Sequence, residues 1–443
     1  MTKQPHDVVI LGAGAAGLAA AAALSAAGRS VLVLEARARL GGRIWTRHEA
    51  GVAVPIELGA EFVHGRSPET VAHLRRAHAD VIEVPDSHWN FQPEGLAPGA
   101  GFEQLVRAIR RSSALAHTDL SLDEFLQRVE AEGLSPAARE YARRFAEGFD
   151  AADPSQASAR ALVAEWTSES MTHEPQSRPA GGYDVLLRQL AASLASERAR
   201  VQLETCVNAV HWSRGRVEVQ AAHSGQALRF TASCAVVALP LGILQLLEDA
   251  AGAVRFTPAL AEKRGALQRL GYGPVVKLVL RFRSAFWEET QGGRFRDTLF
   301  FHMRDAPFPT FWTALPERAP LLVAWVGGPR AARFADASTA DLVRAALASL
   351  EAMFGSECQP DRQFEDAYWH DWQKDPFARG AYSYVKVGGE TAQRQLAEPL
   401  QDTLFFAGEA TDFEGEAATV TGAIRSGERA ARQVLERAAP RAR

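Results

Sequence analysis

Apolar and polar positions alternate with different periods along this chain, and the changes of period mark out its elements. The opening stretch "DVVILGAGAAGLAAAAALSAAGRSVLVLEA" begins with a β-branched run, Val8 to Leu11, and passes through Gly12, Gly14 and Gly17. It continues as an uncharged alanine-rich segment to Ala27 and returns to an apolar run from Ser30 to Leu34. This order predicts strand, glycine turn, helix, strand. Val8 to Gly28 is about long enough to cross a bilayer. The glycines, the adjoining Asp7 and the lone preceding cation Lys3 argue against a targeting or membrane segment. From about Val71 to Ala180 the pattern becomes helical, with pieces such as "GFEQLVRAIRRSSALA" and "SLDEFLQRVEAEG" separated by Pro- and Gly-bearing loops. Ser121 and Glu124 have the spacing of a capping box. Farther on, "VQLETCVNAVHWSRGRVEVQ" predicts two strands joined by a turn at Ser213 to Gly215, and "CAVVALPLGIL" a strand and a proline turn. The segment "DTLFFAGEATDFEGEAATVTGAIRSGERAARQVL" predicts a strand over Leu404 to Ala407, a polar loop, and a helix starting near Thr419.

In "GYGPVVKLVLRF", Gly271 to Phe282, side chains alternate across a predicted strand. Val276, Leu278, Leu280 and Phe282 share one face, and Val275, Lys277, Val279 and Arg281 share the other. Lys277 therefore has apolar neighbours on both sides. These residues alone leave two readings open: a half-buried strand whose lysine stem lies on the valines with its ammonium in water, or a buried lysine with a chemical task.

The glycine turn carries the first chemistry. Its glycines permit a tight turn, let backbone approach a pyrophosphate and bring helix against strand, so that phosphates meet the positive helix N-terminus. Glu35 ends the second strand at the spacing expected of an acid that binds a ribose hydroxyl pair. A dinucleotide-binding unit follows. Just beyond it, "EARARLGGRIWT" supplies Arg37, Gly41, Gly42 and Arg43, and "IELGAEFVHG" runs from Ile56 to Gly65. The glycine pair lets backbone pass close to a ligand, and the Arg43 fork can neutralise phosphate charge.

Composition narrows the partners. The 443 residues suffice for two or three domains' worth of core and for burial of a large cofactor. A formal net charge of -4 suggests neither a nucleic-acid footprint nor an anionic membrane partner. Cys206, Cys234 and Cys358 lack metal-ligand spacing and suit core filling in a reducing compartment, so the cytoplasm is the expected location. His64, His73, His78, His88, His117 and His173 are scattered without the close pairing of a metal site.

With these motifs in order, nearly the whole chain resembles the flavin amine oxidase family, which includes monoamine oxidases, polyamine oxidases, bacterial amine oxidases and lysine-specific histone demethylases. The resemblance implies an α/β fold, with a Rossmann-like FAD-binding domain and a discontinuous α+β substrate-binding domain. The expected division is 1–77, 183–271 and 375–443 for FAD, with 78–182 and 272–374 for substrate. The FAD contacts implied are Gly12, Gly14, Ala16, Gly17, Glu35, Arg37, Gly42, Arg43, Leu58, Gly59, Val207, Gly408, Glu409, Thr419 and Val420. Within this set, the Val207 backbone meets the adenine, Glu409 the ribityl hydroxyls, and the N–H groups of Thr419 and Val420 the pyrimidine oxygen. Tyr382 is the first of the two aromatic walls that flank the flavin in the family; Thr419 replaces the second, as in the histone demethylases. Ala381 stands where monoamine oxidases carry the cysteine that bonds the flavin, so the FAD is expected to be non-covalent. Trp372 is placed behind the flavin ring, a role that a core tryptophan would match equally in sequence. His64 lies where some polyamine oxidases carry a histidine near the substrate tunnel. Lys277 matches the family lysine that holds a water against flavin N5.

The implied reaction is hydride transfer from the carbon alpha to a neutral amine onto flavin N5, followed by reoxidation with oxygen to hydrogen peroxide and hydrolysis of the imine. A small amine or polyamine is the first expectation; an L-amino-acid oxidase and a non-catalytic FAD-binding module remain alternatives. No carboxylate clamp is assignable among the arginines, and Glu61, Glu288 and Glu289 read as ordinary surface charges. Histone demethylation is disfavoured, because that group's long helical insertion and extra N-terminal module find no room here.

Overall fold

The computed structural model describes residues 6–92, 95–98, 101–168, 175–194, 198–247 and 250–438. His173 lies outside them. Two sheets organise the chain. In the first, His6–Leu11 pairs in parallel with Val31–Leu34 on one side and with Gln226–Val237 on the other. Leu404–Phe406 adds in parallel to Gln226–Val237, and Ala199–Gln202 to Val31–Leu34. Thr205–Ser213 and Arg216–His223 complete an antiparallel meander, with Arg255–Thr257 at its edge. Val8 to Leu11, Val31–Leu34, Ala235 to Val237 and Leu404–Phe406 are apolar and buried at every position because both faces are covered there. Val8 and Ile10 pack with Leu18, Leu24 and Ile424, whereas Val9 and Leu11 pack with Val210, Trp212 and Phe406. Helix Ala15–Ala26 is likewise enclosed, which explains its uncharged sequence; a Cβ on Gly427 of helix Val420–Ala438 would lie 2.1 Å from the Ala16 carbonyl.

The second sheet has the order Phe364–Trp369, Val275–Phe282, Leu321–Gly327, Thr310–Thr313, Phe300–Met303, His88–Gln92, Gly95–Pro98. Its pairs are antiparallel except for Phe300–Met303 beside His88–Gln92. One face buries Val276, Leu278, Leu280 and Phe282 against an aromatic core closed by helix Thr339–Phe354. On the other face the register aligns Lys277, Trp325, Thr310, His302 and Asn90 across five strands. Lys277 thus belongs to a transverse row of mostly polar side chains, which its own strand could not disclose.

The predicted strand over Gly271 to Phe282 is interrupted at Pro274. Leu270–Gly273 pairs with Tyr382–Val385, and Val275–Phe282 joins the large sheet. Proline has no N–H to give to a ladder, so the chain changes sheets there. Helix Leu122–Ala131 carries the expected capping box at Ser121 and Glu124. Among the described residues, no helix is long and apolar enough to cross a membrane.

Candidate active site

A continuous cavity of about 1700 Å³ is lined by residues of both sheets. It exceeds the usual volume of a single small-molecule pocket, which suits a dinucleotide together with a second ligand. Its nucleotide end follows from the opening motif. Gly12, Gly14 and Ala16 line it, and so do Glu35, Arg37, Gly42, Arg43, Leu58, Gly59, Val207, Gly408, Glu409, Thr419 and Val420. Gly12 has φ +102, and a Cβ on it would stand 3.0 Å from the Ala238 carbonyl. Gly17 is the exception among the expected contacts. It is absent from the cavity wall, and a Cβ on it would come within 2.0 Å of the Gly12 carbonyl. Its task is the close approach of helix to turn, with an indirect effect on the ligand.

The charged groups at this end are already braced by the chain. Glu35 accepts from the backbone N–H of Ala13 at 2.8 Å and of Arg37 at 2.9 Å, which leaves lone pairs on both oxygens for hydroxyl donors. Arg37 donates to Asp375 at 2.7 Å. Burial would raise the Asp375 carboxyl, but His370 and Arg37 hold it well below the ordinary carboxylate range. Arg43 donates to the Ala381 carbonyl at 2.6 Å and to Glu409 at 2.9 Å, and Ser383 Oγ donates to the other Glu409 oxygen at 2.6 Å. Part of the Arg43 fork is therefore committed to Glu409. Thr419 caps helix Val420–Ala438: its Oγ1 accepts from Gly422 N at 3.0 Å and donates to the Glu416 carbonyl at 2.7 Å. The glycine turn, the helix N-terminus, the Glu35 carboxylate and the available volume fit FAD.

At the other end stand Lys277, Trp372, Tyr382 and His64, all on the cavity wall. Lys277 is only 3% exposed. Its Nζ donates to the Gly59 carbonyl at 3.0 Å and is paired with Glu61 Oε2 at 2.7 Å. The reading with the ammonium in solvent does not hold, nor does Glu61 as an ordinary surface charge. An ammonium taken out of water needs a counter-charge, and the carboxylate two residues beyond Gly59 supplies it. Glu61 Oε1 also accepts from Trp312 Nε1 at 3.0 Å and from Arg178 Nε at 3.0 Å. Burial pushes the Glu61 carboxyl up, yet Lys277 and Arg178 outweigh it and leave it below its ordinary value.

Trp372 Nε1 donates to the Leu58 carbonyl at 2.9 Å, so the segment Leu58 to Glu61 ties down both the tryptophan and the lysine. Gly59 is required there, because a Cβ would lie 1.8 Å from the Arg43 carbonyl. Tyr382 enters by the strand that pairs with Leu270–Gly273, and its hydroxyl donates to the Phe149 carbonyl at 2.7 Å. His64 meets the Phe149 ring edge-on at 5.5 Å, and burial drives its pKa down to about 4, so it stands neutral.

Several residues on the cavity wall or directly behind it carry no local signal. Glu61, Arg178 and Trp312 are far apart in sequence, and Phe149 contributes a carbonyl that any residue could supply. His88 and His302 join at 3.0 Å on the cavity wall, with Asp86 3.0 Å from His88, a pairing that the scattered histidines did not disclose. Cys206 lines the cavity and is not core filling. Among the described residues no His, Cys, Asp or Glu cluster could hold a metal ion.

Known proteins place this geometry in context. The chain is 28% identical to lysine-specific histone demethylase 2 of Homo sapiens, over 98% of this chain and 54% of that protein, so it spans about half the length of this relative. It is 27% identical to polyamine oxidase 5 of Oryza sativa subsp. japonica, over 96% of this chain and 86% of the relative. A solved putrescine oxidase bound to putrescine shares the fold, with a TM-score of 0.80 at 22% identity, covering 98% of this chain and 99% of that one. Residues 15–435 match the family model of the flavin containing amine oxidoreductases, and the chain belongs to that family.

Proposed function

We propose that this protein is an FAD-dependent oxidase of a small amine or polyamine. The observation that carries the reading is a dinucleotide-sized cavity that continues into an aromatic pocket with a buried, carboxylate-paired lysine on its wall. Residues 1–77, 183–271 and 375–443 would form the FAD-binding domain, and 78–182 and 272–374 the substrate-binding domain. Gly12, Gly14 and Ala16 at the helix start would meet the pyrophosphate, Glu35 the ribose, Val207 the adenine, and Glu409, Thr419 and Val420 the flavin end. With alanine at position 381, no thiol is offered there for a covalent flavin bond.

Bound FAD supplies the hydride acceptor for the carbon alpha to the amine and returns the electrons to oxygen as hydrogen peroxide. The amine must be neutral to release that hydride, because its lone pair drives the transfer. Tyr382 and Trp372 provide an apolar wall that excludes water and lowers the amine pKa. Tyr382 is fixed by its hydrogen bond to Phe149, and neutral His64 adds no cation to repel the amine. Lys277 Nζ would present a positive charge and an N–H donor to a water at the cavity wall, a charge that would favour uptake of electrons by the group held there.

The test is direct. Purified protein should be yellow, release FAD on heating, and bleach anaerobically with an amine that yields peroxide in air. The panel should include monoamines, diamines, polyamines, L-amino acids and a methylated-lysine peptide, the last because relatives bear the name histone demethylase. Bleaching by amino acids alone would sink the amine reading in favour of an amino-acid oxidase. No bleaching by any compound would leave a non-catalytic flavoprotein.

A further inference from the structure

Lys277 is held by a group that the family assignment does not provide. An ammonium has three N–H donors, and the structure commits one to the Gly59 carbonyl and turns another toward Glu61. Glu61 is in turn held on its second oxygen by Arg178 and Trp312. Arg178 is itself anchored, donating to the Thr313 carbonyl at 3.0 Å and to the Leu315 carbonyl. The Lys277 ammonium also lies 5.7 Å from the centre of the Trp312 ring. Each member of this chain of contacts is therefore fixed by the next, from the loop carrying Gly59 through the strand carrying Thr313.

The charge arrangement matters as much as the geometry. Two cations, Lys277 and Arg178, share one carboxylate, so the buried cluster keeps one net positive charge. The Glu61 charge is already answered by two cations, Arg178 on Oε1 and Lys277 at 2.7 Å from Oε2, which makes it a poor receptor for a third, a substrate ammonium. Without Glu61, two cations would face each other out of water, and the lysine would lose the contact that sets its direction.

We infer that Glu61 is the positioning residue for Lys277: with Arg178 and Trp312 behind it, its carboxylate aims the Lys277 ammonium at the cavity and sets the charge of that wall. This rests on the role given to Lys277 above, and the experiment separates the two. Glu61→Gln, Lys277→Met and the double variant are compared with the parent holoenzyme by stopped flow, in reduction by the best amine and in reoxidation by oxygen. Glu61→Gln should slow reoxidation about tenfold and leave reduction within about twofold, and the double variant should be no slower than Lys277→Met alone. The midpoint potential of the bound flavin gives a reading apart from turnover. It should rise in Glu61→Gln, where the cluster gains a positive charge, and fall in Lys277→Met, where it loses one.

A double variant slower by the product of the two single effects would overturn the inference, and so would an unchanged potential in Glu61→Gln. If Lys277→Met itself leaves both half-reactions unchanged, the reading of Lys277 fails and this one with it. If Lys277→Met is slow and Glu61→Gln is not, only the inference falls. Should Glu61→Gln not fold, Glu61→Asp keeps the charge and withdraws it by one methylene. Severalfold slower reoxidation that disappears in the Lys277→Met background would support the inference, and rates equal to the parent would refute it.

Discussion

At the end of the cavity lined by Gly12, Gly14 and Ala16, the cavity surface of the opening turn is largely backbone, and the shape of that turn comes from one short stretch of chain. At the end lined by Lys277 and Tyr382 the surface is side chains, and the contact that fixes Lys277 reaches across 218 residues to Gly59. The first end needs an open turn and a helix start, so its requirements are steric. The second needs a charge kept out of water, so its requirements are electrostatic and come from whichever segments the fold brings near. Steric sites tolerate no added atom, whereas electrostatic sites tolerate atoms but not an unbalanced charge.

Four experiments would break or sharpen this contrast, beginning with the largest effect. Gly17→Ala places a Cβ within 2.0 Å of the Gly12 carbonyl although Gly17 faces no ligand. It should cost about 3 kcal/mol or more of stability and leave the purified protein without FAD, as read by denaturant titration and by the ratio of flavin to protein absorbance. A stable yellow variant would show that the turn is more pliant than its packing implies. Lys277→Met should instead keep its FAD and lose about tenfold or more in turnover, concentrated in reoxidation. Loss of FAD in that variant would mean that the two ends are not separable.

Tyr382→Phe keeps the wall and removes one donor, leaving the Phe149 carbonyl short of a partner. A loss of about 1–2 kcal/mol in stability is expected, with KM affected more than kcat. The smallest effect near neutrality concerns Glu57, at the joint between the two ends. Burial raises its pKa from 4.5 to about 7, against hydrogen bonds from Tyr183 N and Thr46 Oγ1. The folded chain binds this proton more tightly than the unfolded chain. Its contribution is therefore fully present below 4.5 and is lost as pH rises through about 7. Glu165 and Glu416, each raised to about 7 by burial, act in the same direction. Melting temperatures at about pH 5 and pH 8 should fall with pH in the parent and fall less in Glu57→Gln. Equal slopes in the two proteins would return Glu57 to an ordinary carboxylate.

The contrast also explains what could be read from the chain beforehand. The strand, turn, helix and strand at the start were legible because each rests on local sterics, and Glu35 because its distance from the turn is set along the same unit. Val207, Glu409 and Thr419, for which the resemblance implies FAD contacts, line the cavity, and Thr419 spends its hydroxyl on a helix cap. Glu61 was misread because a glutamate beside glycine and alanine looks the same in sequence whether it meets water or an ammonium. The break at Pro274, the His88 and His302 pair, and the row from Lys277 to Asn90 all depend on which strand lies next to which.

By itself the sequence determined the dinucleotide unit, the alternation that makes Val275–Phe282 a strand, and the presence of a lysine at its centre, since these follow from backbone sterics and side-chain period. Only the tertiary structure decided that this lysine is buried and that its charge is answered by Glu61. The cost of an ammonium away from water is set by its neighbours in space, and those neighbours come from three distant segments.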